Sequence, residues 1–329
     1  MPEEAEPHRR TWMAFGHSEA IWGRKLLPMV QQNQIAIANT IAQFEPVTMV
    51  VHAQDFARAR QALNRRVQLI KRPIDDLWMR DTGPVFVRGA GGKRAGIDFN
   101  FNGWGGKQTH RGDAKVARWV SEVAKVTRVR STLVLEGGGV EVDGEGSAII
   151  TESCVLNRNR NPGVSKAACE AELRRVLGIR KVIWLPGIAG ADITDGHTDF
   201  YARFVRPGVV AAGLEPDSSN PDYKLTREHL KILQSATDAK ARALKVVPLV
   251  APTRLRYRDA GDDFAAGYIN YYVCNRAVIS SEFGDPKADA AVKAQLTSLY
   301  PGRRIVQMNT DAVAAGGGGI HCTTQQEPA

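Results

Sequence analysis

Short apolar runs alternate along this chain with stretches in which apolar residues return at helical spacing. In "SKAACEAELRRVLGI", Ser165 is placed to cap, Ala168, Leu173 and Val176 recur at helical intervals, and Gly178 stands where a left-handed terminator belongs. The run "KVIWLP" that follows reads as a strand. The same succession of helix, short apolar strand, glycine-containing loop and strand recurs. It predicts post-helix strands at "VQLI" (67), "TLVL" (132), "KVIWL" (181), "KVVPLV" (245) and "RIVQM" (304), with preceding helices near 54–65, 113–126, 165–177, 224–238 and 286–298. Residues before 53 add the strand "TWMAF", a helix near 28–43 and the strand "VTMVV", a piece placed to close a ring against the last unit.

These are about five similar units of roughly 50 to 65 residues, a period that marks repeat architectures. Units this small cannot each hide an apolar face alone, so they are expected to pack around a shared axis as one α/β domain over 1–329. An open α/β sheet is the alternative that the same alternation allows. No linker rich in proline and serine divides the chain.

Composition changes this picture little. An apolar share of 43% and a charged share of 24% are those of a globular protein. The net charge of +9 comes from scattered rather than clustered basic residues, which argues against nucleic acid as a partner. No segment approaches a membrane span, and cysteines at 154, 169, 274 and 322 form neither a CxxC pair nor a regular framework. A reducing compartment, the cytoplasm, is the expectation, although a removed export signal would leave no trace. A homo-oligomer stays open.

The chemistry-bearing residues lie in the loops that follow the post-helix strands: Asp81 in "DDLWMRDTGP", Glu136 in "EGGG", His197 and Asp199 in "TDGHTDF", and Cys322 in "GGGGIHC". Equivalent stations on a ring face one centre. If the triplet at 197–199 is a strand, alternation puts His197 and Asp199 on one face, a proton-transfer group beside a carboxylate. Cys322 is approached through four glycines, Gly316 to Gly319, as suits a nucleophile that needs small neighbours and free N–H groups. Cys154, Cys169 and Cys274 read as packing residues, and His321, pointing away from its neighbour, as a poor partner for Cys322. Asp81 also reads as a turn carboxylate ahead of Gly83 and Pro84, and Glu136 as a strand-end charge. With one well-placed histidine and an isolated thiol, no metal site is expected. A thiol, a histidine and several carboxylates together suit a guanidinium, which is flat, permanently cationic and gripped in a bidentate way by carboxylates.

At these residues the sequence resembles the agmatine deiminases and the related bacterial peptidylarginine deiminases of the guanidino-group-modifying superfamily. The resemblance spans nearly the whole chain, through "EPHRRTWMAF", "LWMRDTGPVFV", "DFNFNGWGGK", "LEGGGVEVDGEGSAIITESCVLNRNRNP", "KVIWLP", "DGHTDFYARFVRPGVV", "FGDP" and "GGGGIHCTTQQEP". It implies a five-bladed α/β propeller, or pentein, with pseudo-fivefold symmetry. It further implies hydrolytic deimination of a small guanidine, agmatine first, without a cofactor. Carried over, Cys322 is the nucleophile, His197 the general acid and base, Asp81 and Asp199 the groups that grip substrate, and Glu136 the support of the histidine and guanidinium. Trp78 lines the aliphatic part, and Gly319 belongs to the substrate-binding cysteine loop, at a place where asparagine is common.

Departures concern the far end of the substrate. "FGHSEAIWG" stands where agmatine enzymes carry "WP" and an Asp-Asn-Trp cluster, and "ADITDGH" has Ile193 at one expected acidic place. Deimination of arginine, peptidyl-arginine or a guanidino acid is therefore the alternative, with Arg158, Arg160, Arg254 or Arg256 as a partner for a tail carboxylate. A propeller without catalysis, serving as a binding module, is a third reading.

Overall fold

The computed structural model describes residues 1–261 and 263–329. Five small sheets form five blades, each built around an antiparallel pair and a parallel crossover through a helix. The second blade orders strands Val85–Arg88, Arg94–Asp98 and Thr127–Arg130, and the third Val140–Val142, Ser147–Thr151 and Lys181–Leu185. The fourth holds Ala202–Arg206, Val209–Leu214 and Lys245–Val250, and the fifth Tyr272–Cys274, Ala277–Glu282 and Arg304–Asn309. The first blade has four strands. The C-terminal Thr324–Pro328 pairs antiparallel with His8–Ala14, which continues in parallel to Val47–Val51 and Val67–Lys71. Ring closure thus joins the two ends of the chain, and the architecture is a five-bladed α/β propeller.

Burial follows from position within a blade. Middle strands such as Val47–Val51 and Ser147–Thr151 are buried along their whole length, as expected for strands flanked on both sides, and read as apolar runs. The helix Lys166–Leu177 shows how the ends are set: Ser165 accepts a hydrogen bond from the Ala168 N–H at 3.2 Å, and Gly178 closes it at φ 76°. The other predicted helices appear at Glu19–Ile41, Phe56–Ala62, Val116–Ala124, Asp222–Ser235 and Pro286–Leu299. The first begins earlier than the periodicity suggests because Ser18 caps it, and Gly23 breaks it at φ 69°.

Two expectations need correction. "TLVL" at 132 is not a strand; the third strand of the second blade is Thr127–Arg130, the polar "TRVR". Leu133 and Leu135 are apolar because they are buried beneath the loop that carries Glu136. The closing strand Thr324–Pro328 escapes an apolar-run criterion because its buried side chains are polar: the Trp12 Nε1–H donates to Glu327 Oε2 at 2.9 Å, and Gln325 Nε2 donates to the Pro84 carbonyl at 2.8 Å.

Candidate active site

The segments after the five third strands, 72–84, 131–139, 186–201, 251–271 and 310–323, supply one site near the axis. Its cavity has a volume of about 220 Å³, and its wall includes Trp78, Asp81, His197 and Cys322 together with Asp76 and Trp22. Residues far apart in sequence are therefore brought to one centre.

Gly138 marks the convergence. A Cβ placed there would stand 2.6 Å from His197 Nδ1, 3.0 Å from Asp81 Oδ1 and 3.1 Å from Asp199 Oδ2, so only a bare backbone lets the three groups close in. The Gly138 N–H donates to Asp81 Oδ1 at 3.1 Å, and the Trp104 Nε1–H to Asp81 Oδ2 at 3.0 Å. His197 and Asp199 do not lie on a strand. Thr198–Phe200 form a single 3-10 turn, and turn geometry rather than strand alternation sets the two side chains.

Glu136 lies behind the wall. It is fully buried, faces His197 Nε2 at 3.2 Å, and receives Arg160 Nε on both oxygens at 2.9 and 3.0 Å. Burial alone would raise its carboxyl, but the His197 hydrogen bond and the Arg160 charge outweigh that and hold it below its ordinary value. Burial likewise disfavours a charged His197 ring, yet Asp81, with Cys154 and Glu136, holds its pKa well above the ordinary histidine value. Cys154 belongs to this setting rather than to general packing, since its thiol reaches Glu136 Oε2 at 3.7 Å. Asp81 is pushed up by burial, opposed by His197 and helped by Asp199 and Glu136.

Cys322 is framed by Asp199 and Asn270. Its sulfur lies 3.6 Å from Asp199 Oδ2 and 3.3 Å from Asn270 Nδ2, and its N–H donates to Asn270 Oδ1 at 3.3 Å. Burial, then the charges of Asp199 and Asp81, drives the thiol pKa well above its usual value. Asp199 Oδ1 is buried without a hydrogen-bond partner.

Packing explains the four glycines. A Cβ on Gly316 or Gly318 would come within 2.2 Å of the Trp22 or Trp78 ring respectively, and one on Gly319 within 2.4 Å of Asn270 Oδ1. Gly316, Gly317 and Gly318 line the cavity. Gly319 and Asp199 are not part of that lining; the Gly319 N–H eases the charge on Cys322.

Among the described residues the wall contains neither arginine nor lysine, and the arginines suggested for a tail carboxylate are not part of it. Arg160 is spent on Glu136 and Asp195, and Arg256 on Asp311 and Glu282. Asp76, Trp22, Trp104 and Asn270 are the residues that sequence reasoning missed. Asp76 is the first cavity carboxylate beyond Asp81 and accepts from Trp22 Nε1 at 2.8 Å and Gln108 Nε2 at 3.0 Å.

Two clusters have the composition of metal sites. In Glu136, Cys154 and His197 the Arg160 guanidinium already occupies both Glu136 oxygens. In His17, His52 and Asp55 the imidazoles stack at 3.7 Å with 17° between planes, so their lone pairs run side by side instead of converging. Among the described residues no helix is long and apolar enough to cross a membrane.

Comparison with known proteins follows the same lines. The sequence model of the Porphyromonas-type peptidyl-arginine deiminases matches residues 1–328. An agmatine deiminase of Stutzerimonas stutzeri is 39% identical, over 100% of this chain and 95% of the relative. One of Ectopseudomonas mendocina is also 39% identical with the same coverage. A solved structure of the agmatine deiminase of Enterococcus faecalis superposes with a TM-score of 0.94 at 35% identity, covering 100% of this chain and 95% of that one.

Proposed function

Because the chain belongs to the Porphyromonas-type peptidyl-arginine deiminase family, we propose that it hydrolyses agmatine to N-carbamoylputrescine and ammonia through a covalent intermediate on Cys322. The observation that carries this reading is the Asp199 carboxylate at 3.6 Å from the Cys322 sulfur, with Asp81 across Gly138: two carboxylates around one thiol suit a cation with several N–H groups.

In the free protein burial and the charges of Asp199 and Asp81 favour the neutral thiol, while Asp81 favours the charged form of His197. A bound guanidinium offsets Asp81 and Asp199, removing the repulsion that opposes a thiolate, and the thiol proton passes to solvent. The sulfur then adds to the guanidinium carbon. His197 gives its proton to one amino group, which leaves as ammonia, and a cationic amidino-thioether remains. Neutral His197 takes a proton from water as the oxygen adds to the same carbon. Collapse breaks the C–S bond, the hydroxyl proton returns with the sulfur, and the ureido product departs. Glu136 holds the His197 ring throughout, and Asn270 and the Gly319 N–H flank the sulfur.

The far end of the cavity favours agmatine over arginine. A tail carboxylate would meet no cationic side chain in the wall, whereas an ammonium meets Asp76, which burial pushes up and a cation would draw back to its charged form. Trp22 and Trp78, with ring centroids 5.7 Å apart, flank the aliphatic stretch. Ammonia yield from agmatine, arginine, an arginine-terminated peptide and a butylguanidine tests this. Agmatine is expected to lead, and a preference for either arginine substrate would overturn it.

A further inference from the structure

His321 follows Asp199 inward from the site. Its Nδ1 lies 2.7 Å from Asp199 Oδ2 and its Nε2 2.9 Å from Glu4 Oε2, and the ring is buried at 2% exposure. Both ring nitrogens therefore face carboxylate oxygens, two positions at which a histidine can donate. Glu4, in the segment before the first strand, is itself held on all sides. Arg80 Nη2 reaches Oε2 at 3.0 Å, while Arg203 Nη2 and the Val273 N–H reach Oε1 at 2.8 and 2.9 Å. Residues from the first, fourth and fifth blades thus meet on one carboxylate beneath the catalytic cysteine.

We propose that His321, braced by Glu4, is a positioning residue of the reaction: it holds Asp199 through Oδ2 and so sets the angle of that carboxylate beside the Cys322 sulfur. The proposal rests on the deimination reading above. A carboxylate beside a thiol with one oxygen unpaired could rotate; one held by a ring that is itself braced on Glu4 does not. Burial raises the Asp199 carboxyl, but the His321 hydrogen bond and charge, with His197 and Arg203, hold it below the ordinary range. The charged and titratable groups around it are His321 and Cys322 from the last loop, His197 from its own, Asp81 from the first and Arg203 from the strand Ala202–Arg206.

The test compares His321→Asn, which keeps a donor toward Asp199 without the charge, with His321→Ala, which keeps neither. Steady-state ammonia release and thermal unfolding are followed together. His321→Ala is expected to lower kcat by about 100-fold, the scale of a small misplacement at a reacting centre. His321→Asn is expected to recover much of that loss. In both, the acid limb of kcat/KM moves to higher pH because Asp199 loses the neighbouring charge that keeps it ionised. A merely structural role would lower the unfolding temperature and leave kcat, KM and the limb of the folded protein unchanged, which would overturn the proposal. Nitrogen-15 histidine spectra of the wild-type protein need no variant: two protonated ring nitrogens at His321 are expected, and one bare nitrogen would overturn it. Wild-type protein that releases no ammonia from any guanidine would sink the reaction reading instead, leaving the spectral result to stand for His321.

Discussion

The Cys322 sulfur lies 3.6 Å from an oxygen of Asp199, a thiol facing a carboxylate rather than a base. That contact opposes ionisation in the empty site and favours it once a cation is bound. Iodoacetamide, which is neutral, should therefore label Cys322 slowly near neutral pH and faster as pH rises. A haloacetamidine, flat and cationic, should label it at least about tenfold faster, the effect of one pKa unit on thiolate content. Equal rates after correction for the reagents' intrinsic reactivity would show a thiol indifferent to its carboxylates.

Asp199→Asn and Asp81→Asn keep the shape of the site and remove a charge. Losing one member of a desolvated charge pair costs about 2–5 kcal/mol. Each variant should lose that much transition-state stabilisation, read from kcat/KM for agmatine, with the fold unchanged by circular dichroism. A loss below tenfold would take the residue out of the grip on substrate.

Arg160 and Glu136 form a buried pair, with both side chains fully enclosed. Arg160→Met leaves Glu136 without the guanidinium that meets both its oxygens, and breaking such a pair costs about 3–5 kcal/mol of stability. Urea unfolding should show that loss, and turnover should fall because His197 is no longer firmly held. Unchanged stability would mean that Glu136 finds another partner.

Gly318→Ala forces a methyl to within 2.2 Å of the Trp78 ring. Overfilling a packed site costs about 1–3 kcal/mol. Because Trp78 lines the cavity, the strain should appear as a raised KM for agmatine. A variant with wild-type KM and unfolding temperature would show that Trp78 moves freely.

The repeat was legible because middle and third strands are apolar runs following amphipathic helices. Four of the five third strands stand where that pattern puts them, at Val67–Lys71, Lys181–Leu185, Lys245–Val250 and Arg304–Asn309. Thr127–Arg130 was hidden by its own exposed polar side chains, and "TLVL" imitated it because loop residues beneath a buried site are as apolar as a strand. The closing strand was hidden for the opposite reason, its buried residues being polar and paired across blades. At the site, four of the five loops announced themselves through Asp81, Glu136, His197 with Asp199, and Cys322. The loop after Lys245–Val250 offered only Arg254 and Arg256, as partners for a tail carboxylate, whereas the residue it brings to Cys322 is Asn270, a polar residue in the aromatic run "GYINYYVC". Glu4 and His321 left no such signal, since hydrogen bonds to Arg80, Arg203 and Asp199 join residues that no local pattern connects.

Ammonia release from agmatine by the wild-type protein and by Cys322→Ala, measured side by side at equal folded concentration, tests the central claim most directly. The account predicts steady turnover by the wild type and a loss of at least about 10⁴-fold in the variant, the scale on which removing a nucleophile acts. Turnover of Cys322→Ala within tenfold of wild type, or none in either protein, would contradict it.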